Sequence, residues 1–241
     1  MAELDAKDRG ALDHTVAELR EIHGTALHAV VLWGEAASDA YRPRHSPLTI
    51  AVMVQKVTAH ALRATAPYIR SWHRRRIGVP LLFDADYLIS ARDVFPLELL
   101  DLVDRHHVLW GQDPFSALET DIPALRIEVE EQLRGKMLHL WAAYLHAAGS
   151  SSALRALLLD SPAGFDVVLR GMLRLQSTER PRTPVALLTA VERTIGVELS
   201  TLRTLAAARA GDTKLAKADL EQVFEAYLEE VRTLVATVDR W

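Results

Sequence analysis

Residues 31–54 read VLWGEAASDAYRPRHSPLTIAVMV and contain the pattern that decides the fold. One apolar run ends at Gly34, small residues and a polar loop follow, and a second apolar run occupies residues 48–54. Apolar runs of this length that are bounded by turn residues are typical of buried strands. The stretch therefore predicts two strands joined by a glycine turn and a polar loop.

The segments around these two strands predict a small unit that mixes helices and strands. Leu12, Val16, Leu19 and Ile22 are spaced three or four residues apart, which places them on one face of a helix over residues 7–23. Further segments predict a helix over 57–75 interrupted by Pro67 and strands at 79–83, 97–103 and 107–110. We expect an α+β unit with a small mixed sheet.

Beyond about residue 112 the sequence predicts helices alone. A long helix at 121–147 is expected to carry on its inner side Leu133, Met137, Leu140, Trp141, Tyr144 and Leu145. Helix starts are predicted at Ser161-Pro162 and Thr183-Pro184, helix ends at Gly196 and Gly211, and a last helix at about 214–239. The predicted domains are an α+β domain at 1–115 and an all-α helical bundle at 116–241.

The composition excludes several classes of protein. The chain has 241 residues, 49% of them hydrophobic, which is too apolar for a disordered protein. No run reaches the roughly 18 apolar residues that a membrane span needs. The absence of cysteine excludes disulfides and thiolate chemistry, and a net charge of -4 gives no general attraction for nucleic acid. We expect a cytoplasmic protein that binds neither membranes nor nucleic acid.

The glycine turn between the two strands resembles the core of the polymerase-beta-like nucleotidyltransferase superfamily. The segments FPLELLD (95–101) and HVLWGQDP (107–114) are similar to later strands of small nucleotidyltransferase domains. The helical second half is similar to that of kanamycin-nucleotidyltransferase-like proteins. The resemblance implies a Gly-Ser pair that contacts the triphosphate after the first strand. It also implies an Asp-x-Asp on the second strand that holds two magnesium ions, because hard cations prefer oxygen ligands.

This sequence departs from that pattern at each position that matters for metal binding. Pro47 and Thr49 match the paired acids, and Glu35 replaces the serine beside the triphosphate. Proline supplies no side-chain ligand, and a neutral threonine hydroxyl is a weak one. We therefore predict a degenerate metal site and a vestigial nucleotide cleft formed by Gly34, Glu35, Ser46, Pro47 and Thr49.

Two other pairs of acidic residues are candidates for the metal ligands that Pro47 and Thr49 cannot supply. Glu98 is the best match to the third acid of the superfamily, and Asp101 is its neighbour. They define an alternative in which an active nucleotidyltransferase uses an atypical carboxylate set with Mg²⁺. Asp84 and Asp86 form an Asp-x-Asp, but we interpret them as residues that start a helix, since aspartate satisfies free amides there.

Two basic features lead to further hypotheses. Arg134 and His139 resemble the Arg-x4-6-His motif of HEPN-type ribonucleases, in which histidine transfers protons and arginine stabilises phosphate charge. The alternative is a structural role for both residues, in which Arg134 forms an ion pair with Glu130 and His139 lies on a solvated face of the helix. The basic run at 70–76 could attract phosphate, but we interpret it as solvated cations at a helix end, and Trp72 within it as a core or interface residue.

The sequence thus favours a non-catalytic binding or scaffold protein built on a nucleotidyltransferase fold. No cofactor is expected, and Mg²⁺ enters only with the active alternative. A nucleotide or small-molecule ligand and a homodimer or partner protein are the expected partners, because the long helices carry much apolar surface.

Overall fold

The computed structural model describes residues 4–39, 41–147, 149–177, 179, 181 and 183–241. They form two compact units, of which the first ends at Asp121 and the second begins at Ile122. The boundary predicted after residue 115 lies in the segment that leads to the first helix of the second unit.

The first unit combines helices with one small sheet. Its elements are α1 (Ala6–His23), β1 (Leu27–Trp33), β2 (Thr49–Val54), α2 (Ala59–Thr65), α3 (Ile69–Arg74), β3 (Leu81–Phe83), α4 (Ala85–Ser90), α5 (Pro96–Asp104) and β4 (His106–Gly111). The strands of the described residues lie in the order β3-β2-β1-β4. β1 is antiparallel to β2 and β4, while β2 is parallel to β3. The predicted α+β class with a mixed sheet is confirmed.

Both faces of this sheet are buried. Successive side chains of a strand point to opposite faces, so Val30 packs in one cluster with Leu12 of α1 and Trp72 of α3. Val31 packs on the other face with Leu99 of α5. The two central strands are therefore apolar on both sides, which explains why they read as continuous apolar runs.

The predicted helix over 57–75 is divided as expected. A 3₁₀ turn at Ala66–Tyr68 contains Pro67 and separates α2 from α3. Proline lacks the N–H that an α-helix needs at this position, so the α-helical hydrogen-bond pattern is interrupted here.

The predicted strand at 97–103 is wrong, because these residues belong to α5. Pro96 occupies the first turn of the helix, where its missing N–H costs nothing. Leu97, Leu99, Leu100 and Leu102 are all buried, and leucine favours helices over strands. Because this segment is buried on nearly every side, its sequence lacks the alternation of apolar and polar residues that distinguishes a helix from a strand.

The second unit contains helices only. They are α6 (Ile122–Ala147), α7 (Ser151–Asp160), α8 (Phe165–Gln176), α9 (Pro184–Ile195), α10 (Ser200–Ala210) and α11 (Leu220–Val238). α6 packs against α7, α8 and α11, and the predicted helical region is confirmed. No helix in the described part of the chain is long and apolar enough to cross a membrane.

The helix-boundary signals are mostly correct. Thr183 caps α9, because its side chain accepts a hydrogen bond from the N–H of Ala186, and Gly196 and Gly211 end α9 and α10 in left-handed conformations. The helix start predicted at Ser161 is wrong. Ser161 begins a 3₁₀ turn that continues directly from α7.

The inner face predicted for α6 is partly wrong. Leu133 and Leu140 are buried, but Trp141 is 40% and Leu145 76% exposed. The buried side of α6 instead follows Leu125 and Val129. Because α6 carries apolar residues around much of its circumference, its sequence did not indicate which face is buried.

Candidate functional site

The turn at Gly34 lies where β1 ends and both neighbouring strands begin. Trp33 pairs with Thr49 of β2 on one side and with His106 of β4 on the other. Gly34 has a φ of 75°, and its N–H donates to the carbonyl oxygen of Arg105 at 2.9 Å. This left-handed conformation favours glycine. We call this end of the sheet the Gly34 edge.

The loop after the Gly34 edge folds back on Glu35. The Ser46 hydroxyl donates to Glu35 Oε1 at 2.6 Å, and the Nε of Arg42 lies 3.6 Å from the same oxygen. The N–H of Arg42 donates in turn to Ser46 Oγ at 2.8 Å. The carboxylate of Glu35 is therefore engaged by a hydroxyl and a cation of its own loop.

A buried ion pair anchors the other side of this loop. Asp8 of α1 is 2% exposed and accepts hydrogen bonds from the Tyr41 hydroxyl at 2.7 Å and from Arg76 Nη1 at 3.0 Å. Arg76 also donates through Nη2 to the carbonyl oxygen of Ser46 at 2.7 Å. Burial and the hydrogen bond to Asp8 raise the pKa of Tyr41, which therefore stays a hydroxyl donor. Residues 68 apart in sequence thus hold the loop in place.

The two positions that match the superfamily's acid pair contain no carboxylate. Pro47 is exposed, and Thr49 is half-buried at the start of β2. The Thr49 hydroxyl donates to the carbonyl oxygen of Trp33 at 2.6 Å. Its oxygen is also 3.4 Å from where a Cβ on Gly34 would lie. The structure places Gly34, Glu35, Ser46 and Thr49 at the Gly34 edge, where the side chains of Ser46 and Thr49 donate hydrogen bonds within the turn and loop.

Glu98 and Asp101 lie on α5 rather than on a strand beside the cleft. Glu98 is exposed, in the first turn of α5. Asp101 is 7% exposed, and its Oδ1 accepts a hydrogen bond from Arg105 Nε at 2.6 Å. The sequence predicted that these acids lie on a strand. That prediction was wrong, because residues 96–104 form a buried helix.

The residues at this edge do not fit the two divalent cations that the fold family implies. Hard cations need several oxygen ligands that converge. Among the described residues, no group of three or more acidic or histidine side chains could hold a metal ion. Glu35, the acid that follows Gly34, is already engaged by Ser46 and Arg42.

Asp84 and Asp86 have the structural roles predicted for them. Asp84 caps α4 by accepting from the N–H of Tyr87 at 2.9 Å, and it also accepts from the N–H of Val57 at 3.0 Å. These hydrogen bonds lower the pKa of Asp84, and the one from Val57 contributes most. Asp86 forms an ion pair with Lys56 at 2.9 Å.

Both residues of the ribonuclease hypothesis lie on the same helix. Arg134 and His139 are five residues apart on α6, which places them about 140° apart around the helix axis. Arg134 donates to Glu130 at 2.8 Å and to Asp239 at 2.7 Å. The pKa of Arg134 is raised, and the hydrogen bond to Glu130 contributes most to this change.

The basic run of residues 70–76 is not simply solvated. Arg75 forms two hydrogen bonds with Glu18 of α1, at 2.8 and 2.9 Å, and Arg76 binds Asp8. Trp72 is fully buried and donates to Glu18 at 2.7 Å, which confirms its assignment to the core. Sequence reasoning missed these pairs, because nothing local links a helix at residue 8 to a segment at residue 76.

A solved structure with the same arrangement identifies the fold. The spectinomycin adenyltransferase AAD(9) from Enterococcus faecialis, solved with ATP and spectinomycin, matches with a TM-score of 0.50 over 93% of this chain and 99% of that one. The two sequences are 7% identical, so the similarity concerns the fold. This chain has a nucleotidyltransferase fold. The fold that the resemblance implied is thereby confirmed.

Other comparisons add little to this nucleotidyltransferase fold. A mutant of the toxin-antitoxin pair MntA-HpeT matches with a TM-score of 0.31 and 15% identity, over 55% of this chain and 97% of that one. No protein-family model matches the sequence, and no curated protein matches it.

Proposed function

We propose that this protein is a non-catalytic member of the nucleotidyltransferase fold that works by binding a ligand or a partner. The observation that supports this proposal is the closed state of the Gly34 edge. The Thr49 hydroxyl donates to the carbonyl oxygen of Trp33, and Pro47 offers no ligand. Glu35 accepts a hydrogen bond from Ser46 and lies 3.6 Å from Arg42. A site that activates an oxygen nucleophile and neutralises pyrophosphate needs free carboxylates for its cations.

A nucleotide is one ligand that this proposal allows. The AAD(9) structure holds ATP, and in this chain the exposed guanidinium of Arg42 is the cation next to the Gly34 turn. Phosphate could pair with Arg42 without a metal, although Glu35 competes for the same guanidinium. Binding of this kind would be weak and would not depend on divalent ions.

Incubation of the protein with ATP and Mg²⁺ or Mn²⁺ tests the absence of catalysis. We expect pyrophosphate release at the rate of the buffer alone and a calorimetric titration of ATP that is unchanged by EDTA. Metal-dependent release that is lost in Glu98→Gln but retained in the control Asp13→Asn would overturn the proposal. That result would instead support the active alternative with Glu98 and Asp101.

The expected homodimer belongs to the same proposal and is supported by the exposed side of α6. Leu138, Trp141 and Leu145 lie at spacings of three and four residues, and their exposed fractions are 57%, 40% and 76%. An apolar stripe of this kind on one helix face is suited to a second copy.

Light scattering measures this association directly. We expect twice the 26.8 kDa mass of one chain for the unmodified protein and a single-chain mass for Leu145→Glu. His139→Glu places the same charge on another exposed position of α6 and is expected to leave the dimer intact. A single-chain mass for the unmodified protein in concentrated solution would contradict the prediction.

A further inference from the structure

We propose that a groove at the end of β1 opposite Gly34 binds a small primary amine with an apolar body. This groove begins at Leu27, the first residue of β1, whereas the Gly34 edge follows its last residue. The proposal is independent of the proposed function, because it uses no residue of the Gly34 edge.

The groove has the size and lining of a small-molecule site. Its volume is about 700 Å³, and ligand pockets commonly measure roughly 300–1,000 Å³. Ala29 and Met53 of the sheet and Leu88 of α4 supply buried apolar surface, and Leu118 adds to it. The polar residues of its lining are His28, Gln112 and Asp113.

Two irregularities of the backbone build this groove. The pairing of β1 with β2 shifts register between Leu27 and Ala29, so His28 lies at a bulge, a feature that redirects a side chain. On the other side, Gly111 has a φ of 85° and passes so close to β1 that a Cβ would overlap the carbonyl oxygen of His28. This close approach places residues 112–114 beside His28 as one wall.

The charge of the groove selects a cation. No lysine or arginine lines it, and Asp113 is its acidic residue. Asp113 Oδ1 accepts from the N–H of Phe115 at 2.9 Å and lies 3.2 Å from His106 Nε2. Both of these contacts use Oδ1, and the side chain of Asp113 is 36% exposed. His28 at the bulge is also exposed.

These contacts define the chemistry of the ligand. An ammonium group can donate to Asp113 Oδ2 in a charge-assisted hydrogen bond, while Oδ1 keeps its role in the turn. The rest of the ligand then lies on Met53, Leu88 and Leu118, where burial of apolar surface favours binding. A carboxylate of the same size would be repelled by Asp113, and a neutral alcohol would lack the charge contribution.

Titration with hexylamine, hexanol and hexanoate tests both parts of this proposal. Methionine methyl resonances report the location, because Met53 lines the groove and Met172 is buried in the second unit. We expect hexylamine to shift the methyl resonance of Met53 and not that of Met172. We also expect it to bind about tenfold more tightly than hexanol, which is the difference expected for a charged hydrogen bond. Hexanoate is expected to show no binding.

Three variants complete the test. Asp113→Asn keeps an oxygen for the N–H of Phe115 and is expected to remove the roughly tenfold preference for the amine. Ala117→Phe fills the groove from an exposed position and is expected to abolish the shift of Met53 by every probe. Asp86→Asn removes an exposed carboxylate of the same unit and is expected to change nothing.

The proposal fails under any of three results. These are equal binding of hexanol and hexylamine, an unchanged preference in Asp113→Asn, or an unchanged Met53 shift in Ala117→Phe. Urea denaturation of each variant verifies that it is folded. Pyrophosphate release does not bear on any of these results, so the two proposals fail separately.

Discussion

Gly111→Ala is expected to destabilise the first unit by about 4 kcal/mol or more, a loss that places it among the most damaging single substitutions. The added Cβ would overlap the carbonyl oxygen of His28 and lie 2.9 Å from the Cα of Ala29. Both atoms belong to the backbone of β1, so neither can move aside as a flexible side chain would. Relief of the overlap requires β4 to separate from β1, with loss of the hydrogen bonds between these strands. Urea denaturation followed by circular dichroism measures the change in the free energy of unfolding.

Gly196→Ala is the matched control for this substitution. Gly196 also has a positive φ, 74°, but a Cβ there would meet nothing within 4 Å. Its cost is therefore the conformational strain alone, about 1 kcal/mol. Equal losses of stability for the two variants would show that the close approach of β4 to β1 is not what requires glycine at Gly111.

Asp8→Ala is expected to lower the free energy of unfolding by about 3 kcal/mol, the lower end for loss of one partner of a buried ion pair. The side chain of Asp8 is 3% exposed, while that of Arg76 is 33% exposed and regains some hydration when it is left alone. The substitution also leaves the Tyr41 hydroxyl without its acceptor. Urea denaturation gives the free energy, and faster tryptic cleavage after Arg44 is expected to report release of the loop.

Asp13→Ala separates this effect from a general loss of negative charge on α1. Asp13 lies on the same helix but is exposed, so its removal is expected to change stability by less than about 0.5 kcal/mol. A double-mutant cycle of Asp8→Ala with Tyr41→Phe measures the hydrogen bond between them. Losses of similar size for Asp8→Ala and Asp13→Ala would contradict the role of the buried network.

The central strands were predictable because their signal is local. Residues 48–54 have no polar interruption apart from Thr49, and burial on both faces requires such a run. The same logic failed for α5. Four leucines within six residues satisfy a buried strand and a buried helix equally well, and only packing against the sheet distinguishes them.

The sequence could predict where the candidate residues lie on the sheet, but not which hydrogen bonds they form. The turn and loop residues Gly34, Glu35, Ser46 and Thr49 come together because two adjacent antiparallel strands bring their connecting ends to one edge. The partners of Glu35 and Thr49 depend on rotamers and loop path, which no spacing rule specifies. Glu98 is absent from this cluster because its segment is helical.

What the sequence alone determined is therefore the local pattern: which segments form strands and most helices, where proline and glycine end them, and that no carboxylate stands at positions 47 and 49. Only the tertiary structure decided that Asp8 meets Arg76 and that Gly111 passes against His28 to form a groove with Asp113. The reason is physical. Periodicity and turn propensity act over a few residues, whereas ion pairs and close backbone approaches join atoms that the chain brings together only when the whole unit has folded.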